Sequence, residues 1–226
     1  MEITKASGEK VPFDKDKLCR SLKAAGAPEA LVNETCEIIA GKLLPGATTT
    51  EIWRRALRYL VKKNITAAAR YNLRRGMATL GPAGFLFEQF LEALLKTNGF
   101  ETARNQMLRG KCVSHEVDVT ASQGGTCFLI EAKYHNDFGT KVATDVVMYA
   151  DARREDISRG GKPCSMWVIT NTKFTGNAIE YAKCRGLKLT GWHYPQGGES
   201  LESLIVAHAL YPVTVLPSVD RFAREQ

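Results

Sequence analysis

The stretch HEVDVTASQGGTCFLIEAKY, residues 115–134, decides the fold. Over 115–121 apolar and polar residues alternate, the period of a strand with one face buried. Gly124-Gly125 reads as a tight turn, because the favoured hairpin turns need positive φ. TCFLIEAKY, residues 126–134, is then the partner strand. If the hairpin closes there, Asp118 comes across from Glu131 and Lys133. Positions two apart in a strand share a face, so Glu131 and Lys133 project together while Ala132 turns into the core.

These charged residues sit inside otherwise apolar strands, VDV and FLIEAKY. The plain alternative is a cross-strand ion pair on a solvated face. The sharper reading is chemical. Oxygens from Asp118, Glu131 and the Ala132 carbonyl suit a hard divalent cation, Mg²⁺ or Mn²⁺ in its place. Lys133 beside them suits charge stabilisation during attack of water on a phosphodiester.

Working outward, FLFEQFLEALLKTNGF (85–100) is an amphipathic helix with Phe87, Phe90, Leu91, Leu94 and Leu95 on its core face, ended by Gly99. Residues 141–159 read as helix, SMWVIT (165–170) as a buried strand, 175–185 as helix, 187–192 as a short strand and 199–209 as helix. Helix, antiparallel hairpin, then alternating helices and strands make an α/β sandwich on a mixed sheet. Arg153 and Arg154 read as a solvated helix face, and the four histidines are too scattered to form a ligand set.

Upstream, residues 2–13 suggest a hairpin turning at Gly8-Glu9. Asp14 is the N-cap of a helix from Lys15 towards Gly26, and a second helix follows Ala27-Pro28-Glu29 until Pro45-Gly46 breaks it. Thr50 with Glu51 is expected to cap a third helix, and 66–79 form a fourth. Gly81-Pro82-Ala83-Gly84 is the one Gly/Pro cluster that divides the chain cleanly, which gives domains 1–82 and 83–226.

Charge divides at the same place. The net charge is +7, yet residues 1–84 hold 15 Lys+Arg against 8 Asp+Glu while residues 85–226 hold 16 of each. The excess favours a polyanion bound by the first part, a nucleotide or a nucleic-acid backbone. With 44% hydrophobic and 24% charged residues the composition is globular, not disordered. No apolar run approaches the ~20 residues of a membrane helix, and no signal-peptide core opens the chain. The expectation is a cytoplasmic protein with no membrane partner. Six cysteines without a C-x-x-C pair argue against structural zinc and are expected to be free, buried and small.

Residues 84–210 resemble the Mrr-like branch of the PD-(D/E)-x-K nucleases, through GFLFEQFLEALLKTNGF, HEVDVTA, CFLIEAKYH and the WVITNTKFTGNAIEYAKCRGLKLTGWHYP run. The resemblance implies a restriction-endonuclease-like α/β/α sandwich. It implies a metal site built from an acid on the first helix, Glu88, with Asp118, Glu131 and Lys133; Glu92 lies one turn beyond Glu88. Val117 stands where the signature has Pro.

Residues 2–80 resemble an ATP-cone, a small, mostly helical regulatory nucleotide-binding module with a β-hairpin. The matching pieces are Lys5, Gly8, Val11, Phe13, Asp14 and Lys17, then TTTEIW with Thr49, and ARYNLRR. Trp53 stands where many cones carry His. The resemblance implies ATP or dATP as regulatory ligand, with Lys17 and Lys5 on phosphate.

The combined expectation is a Mg²⁺-dependent endonuclease hydrolysing double-stranded DNA as a homo-oligomer, a dimer or higher, regulated by nucleotide. The alternative is a non-cleaving DNA-binding or nucleotide-sensing oligomerisation protein on the same scaffold.

Overall fold

The computed structural model describes residues 1–5, 7–81, 84–161 and 163–215. They form two compact units, one of residues 1–77 with 213–215 and one of residues 78–212. Pro82 and Ala83, where the sequence places the boundary, lie outside the described residues.

The first unit opens with β1 (Glu2–Thr4) and β2 (Lys10–Pro12), antiparallel with Ile3 opposite Val11. Gly8 takes φ +83° in the turn, a conformation that suits glycine. Four helices follow: α1 (Lys15–Ala24), α2 (Glu29–Gly41), α3 (Thr49–Lys63) and α4 (Ile65–Ala78). Asp14 caps α1 by accepting from the Lys17 N–H at 2.9 Å. The cap of α3 is Thr48 and not Thr50. A capping box needs its carboxylate three residues past the cap, and Glu51 stands in that relation to Thr48. Leu22, Ile39, Ala56, Leu57 and Leu60 lie at the centre of this unit's core.

The chain after Pro212 returns to the first unit, whereas the sequence reading places residues 83–226 in the second domain. A 3₁₀ turn, Val213–Val215, lies on α4. Asn72 Nδ2 donates to the Val215 carbonyl at 2.9 Å and Thr214 Oγ1 to the Gly76 carbonyl at 2.8 Å. Gly76 permits this approach, since a Cβ there would stand 2.7 Å from Val215 Cγ1.

The second unit begins with α5 (Phe85–Thr97), β3 (Glu101–Arg109), β4 (Ser114–Gln123) and β5 (Thr126–Lys133). It continues with β6 (Lys141–Val142), α6 (Thr144–Gly160), β7 (Ser165–Thr170) and β8 (Lys173–Phe174). It ends with α7 (Gly176–Arg185), β9 (Lys188–Thr190) and α8 (Leu201–Ala207). The main sheet runs β3-β4-β5-β7-β9, antiparallel through β5 and parallel from β5 onward. This is the expected mixed sheet with helices packed on it, an α/β architecture.

The sequence reading missed β3. It is an edge strand whose half-buried positions include Arg104 and Gln106, so no apolar alternation announces it. On one sheet face Leu129, Met166, Val168 and Leu189 pack with Val147, Ala150 and Ile157 of α6 and Ala178 and Ala182 of α7. By strand alternation Phe128 and Trp167 take the other face, where their rings pack together and against Phe100 just beyond α5.

The cysteines depart from expectation. Cys19 pairs with Cys36 and Cys127 with Cys164 in disulfides, while Cys112 and Cys184 are free but exposed. Sequence separations of 17 and 37 give no sign of either pairing; antiparallel α1–α2 packing and the adjacent starts of β5 and β7 create them.

Candidate active site

The sheet carries the candidate site where β4 and β5 separate. Their paired register ends at Val119 opposite Ile130. Beyond it the Asp118 side chain takes over from the backbone ladder: Oδ2 accepts the Ala132 N–H at 2.8 Å. One aspartate thus satisfies a donor left by the parting strands and is itself fixed beside Glu131. Ala132 is half-buried rather than turned fully into the core.

Glu131 and Lys133 follow Leu129 on the face covered by α6. There Arg153 Nη1 donates to Glu131 Oε2 at 2.6 Å, with both side chains largely buried. The expected solvated pair is therefore nothing of the kind: Arg153 faces the site, and Arg154 holds the buried Asp151 at 2.6 Å. An i, i+1 pair on a helix points in two directions, and only the fold shows which neighbours each meets.

The electrostatics are those of crowded carboxylates. Burial pushes the Asp118 carboxyl up, outweighing the Ala132 hydrogen bond and Arg153 that favour its charge. Burial and then the Asp118 charge push Glu131 up, despite Arg153. Glu88 of α5 is raised by burial and by the negative charges of Asp118, Glu116 and Glu131. Glu88 thus belongs to the same electrostatic neighbourhood. Glu92, one turn on, is lowered, since Lys96 at 3.0 Å and Arg104 at 2.6 Å hold it in ion pairs. Glu116 is an acid at this site that the sequence reading did not single out.

The strand end is pinned from β7. His135 N–H donates to Asn171 Oδ1 at 2.9 Å, and Asn171 Nδ2 returns a hydrogen bond to the His135 carbonyl at 2.7 Å. Asn171 is buried, so this clamp fixes the course of the chain two residues beyond Lys133. Its only sequence signal is a polar residue directly after the apolar run SMWVIT.

Among the described residues no three His, Cys, Asp or Glu side chains converge as a ready-made metal cluster. The donor set fits a smaller demand. Mg²⁺ is commonly held by one or two carboxylates, with water completing its shell. Asp118 and Glu131, each destabilised as an anion by burial, and Glu131 also by Asp118, are the two carboxylates that could answer that demand.

In the first unit the expected nucleotide contacts surround one cavity of about 480 Å³. Lys5, Val11, Phe13, Lys17 and Thr49 all line it; Gly8 does not, and serves the turn. Trp53 and Tyr71 complete the apolar wall. The Trp53 ring lies under Arg75, 4.0 Å from its guanidinium carbon. Lys5 is engaged by Glu9 at 2.8 Å, whereas Lys17 makes no ion pair among the described residues.

Residues 83–192 match the Mrr catalytic family, described as restriction endonuclease. The chain is also 42% identical over 123 residues to an "Uncharacterized protein" of Archaeoglobus fulgidus, a match spanning 54% of this chain and 69% of that one. The chain belongs to the family of that archaeal protein, and its residues 83–192 are what match the restriction endonuclease model. Among solved structures, the protein of unknown function AF1548 is similar at 37% identity and TM-score 0.56, over 63% of this chain and 78% of that chain. A repair endonuclease from Pyrococcus abyssi is matched at 15% identity and TM-score 0.37, over 46% of this chain and 43% of that one, too remotely to bear on the argument. Among the described residues no helix is long and apolar enough to cross a membrane.

Proposed function

We propose that the protein is a Mg²⁺-dependent endonuclease that hydrolyses phosphodiester bonds of double-stranded DNA, under control of a nucleotide bound in the first unit. The observation that carries this reading is the Asp118–Ala132 hydrogen bond. Within a restriction endonuclease domain it fixes Asp118 beside Glu131 and Lys133 where two strands part.

In this reading Asp118, Glu131 and the Ala132 carbonyl hold the cation. When bound it supplies Lewis-acid polarisation of the phosphate and a more acidic water. Lys133 contributes positive charge where negative charge develops on the phosphoryl oxygens. Glu88 adds a further carboxylate on α5, raised by burial and by the charges of Asp118, Glu116 and Glu131. Arg153 holds Glu131 in place through their ion pair.

The nucleotide half of the proposal draws on the cavity shared by Lys5, Val11, Phe13, Lys17 and Thr49. Its apolar wall suits a base and its lysines suit phosphates, so ATP or dATP is the ligand class. A nucleotide alters cutting only by binding two states of the protein unequally. Cutting both strands needs two active sites, which makes a homo-oligomer part of the proposal.

One observation favours the non-cleaving alternative: Glu131 already has a counter-cation in Arg153. Cleavage of supercoiled plasmid in Mg²⁺ or Mn²⁺, with and without ATP, separates the two. Nicking lost in Lys133→Ala is expected. Metal-independent binding without nicking would establish the alternative.

A further inference from the structure

Net charge poses a problem for any DNA enzyme of this build: residues 85–226, which hold the candidate site, carry 16 basic and 16 acidic side chains. Backbone binding depends on cations that displace counterions from phosphates. The catalytic part has no surplus of them, and the surplus lies in the first unit.

There, a second groove of about 410 Å³ opens between α2 and α3, separate from the Lys5–Lys17 cavity. Lys42, Arg55, Arg58 and Lys62 line it, and no carboxylate does so among the described residues. Ile38 and Val61 contribute an apolar floor and Tyr59 a ring. Arg55, Arg58 and Lys62 are spaced i, i+3, i+7 on α3, which puts them on one face over two turns. That row is about 10 Å long at ~1.5 Å per residue. Arg55 Nη1 donates to the Lys42 carbonyl at 2.7 Å, so the end of α2 sets its position. None of the four cations is in an ion pair among the described residues. The acid nearby in sequence pattern, Glu34, is engaged by the Tyr59 hydroxyl and by Lys63.

We propose that this α2–α3 groove binds the phosphodiester backbone of the DNA substrate. A strand of duplex DNA presents a phosphate every ~3.4 Å along the axis, so a 10 Å row of cations spans roughly three. An open row suits a polymer, whereas a single triphosphate needs a compact cluster. The inference rests on DNA being the substrate, and it assigns the grip to the helical unit and not to the unit that carries the acidic residues.

The test is duplex-DNA binding by the full chain in EDTA, read by fluorescence anisotropy from low to high salt, with ATP binding measured beside it. Arg58→Ala with Lys62→Ala removes two exposed side chains, and an unchanged thermal melt verifies folding. The expected result is at least tenfold weaker DNA binding at low salt, a log–log salt slope smaller by about 2 at ~0.9 per phosphate, and unchanged ATP affinity. Wild-type binding matched by the double variant would overturn the groove while leaving DNA as substrate. Loss of ATP affinity with DNA binding intact would overturn it in favour of a nucleotide site. No DNA binding by the wild-type chain would overturn the substrate reading and the groove with it.

Discussion

Asp118 Oδ2 accepts the backbone N–H of Ala132 at 2.8 Å, at the point where β4 and β5 stop pairing. The bond joins folding to chemistry, since the side chain that completes the strand junction is the one proposed to hold metal. Burial nevertheless raises the Asp118 pKa, so its ionised form is a cost to the metal-free protein. Between the ordinary carboxylate value and the raised native one, the folded state holds the extra proton, and stability falls as pH rises through that window. Asp118→Asn keeps an acceptor for Ala132 and removes the charge. In EDTA at neutral pH it is expected to melt higher than wild type, with the difference shrinking as pH drops below the ordinary carboxylate range. Thermal melts across pH check this.

Arg153 and Glu131 form a largely buried ion pair at 2.6 Å. Arg153→Gln leaves Glu131 buried without its guanidinium, a loss on the order of 3 kcal/mol for a pair of this kind. Under the proposed function, added Mn²⁺ restores much of that loss, because the cation then meets an unneutralised carboxylate. Melting curves of the variant with and without Mn²⁺ measure the recovery. A variant as stable as wild type in EDTA would remove Arg153 from the account.

The hairpin at 115–134 was legible because its signals agree: alternation, a Gly-Gly turn and charges at fixed spacing in apolar strands. The helices of the first unit were legible for similar local reasons, with Asp14 as a cap, although α3 is capped by Thr48 and not Thr50 and α2 stops at Gly41, short of Pro45-Gly46. What escaped was non-local. Edge strand β3 has half-buried polar residues in place of an apolar stripe, the Val213–Val215 turn meets Gly76 and Asn72 from far along the chain, and Arg153 declares its role by meeting Glu131. Lys5, Val11, Phe13, Lys17 and Thr49 were read from a resemblance, and the fold gathers those five around one cavity.

Gly160 ends α6 against the turn between β3 and β4. A Cβ there would stand 2.6 Å from the Gly110 carbonyl carbon and 2.7 Å from the Lys111 nitrogen, both backbone atoms that cannot swing aside. Gly160→Ala is expected to destabilise the second unit by about 3 kcal/mol, at the upper end for overpacking. Urea denaturation checks it, and a loss below about 1 kcal/mol would mean the turn yields readily.

The cysteine pairing gives a chemical count. Denatured, unreduced protein is expected to titrate two thiols, Cys112 and Cys184, and six after reduction. The Cys127–Cys164 bridge spans 37 residues, and closing a loop of that length stabilises by about 3–4 kcal/mol in the chain-entropy model. Mass spectrometry after alkylation gives the count, and melting with and without reductant gives the loss.

The central claim is that Asp118, Glu131 and Lys133 form a metal-dependent phosphodiesterase centre. Its most direct test is conversion of supercoiled plasmid by the 226-residue chain in Mg²⁺ or Mn²⁺, beside Asp118→Ala shown by circular dichroism to be folded. The account predicts nicked or linear product for wild type, none in EDTA, and a loss of at least a hundredfold in the variant. Equal cutting by Asp118→Ala, or no cutting of methylated or unmethylated plasmid by wild type with either metal, would contradict it.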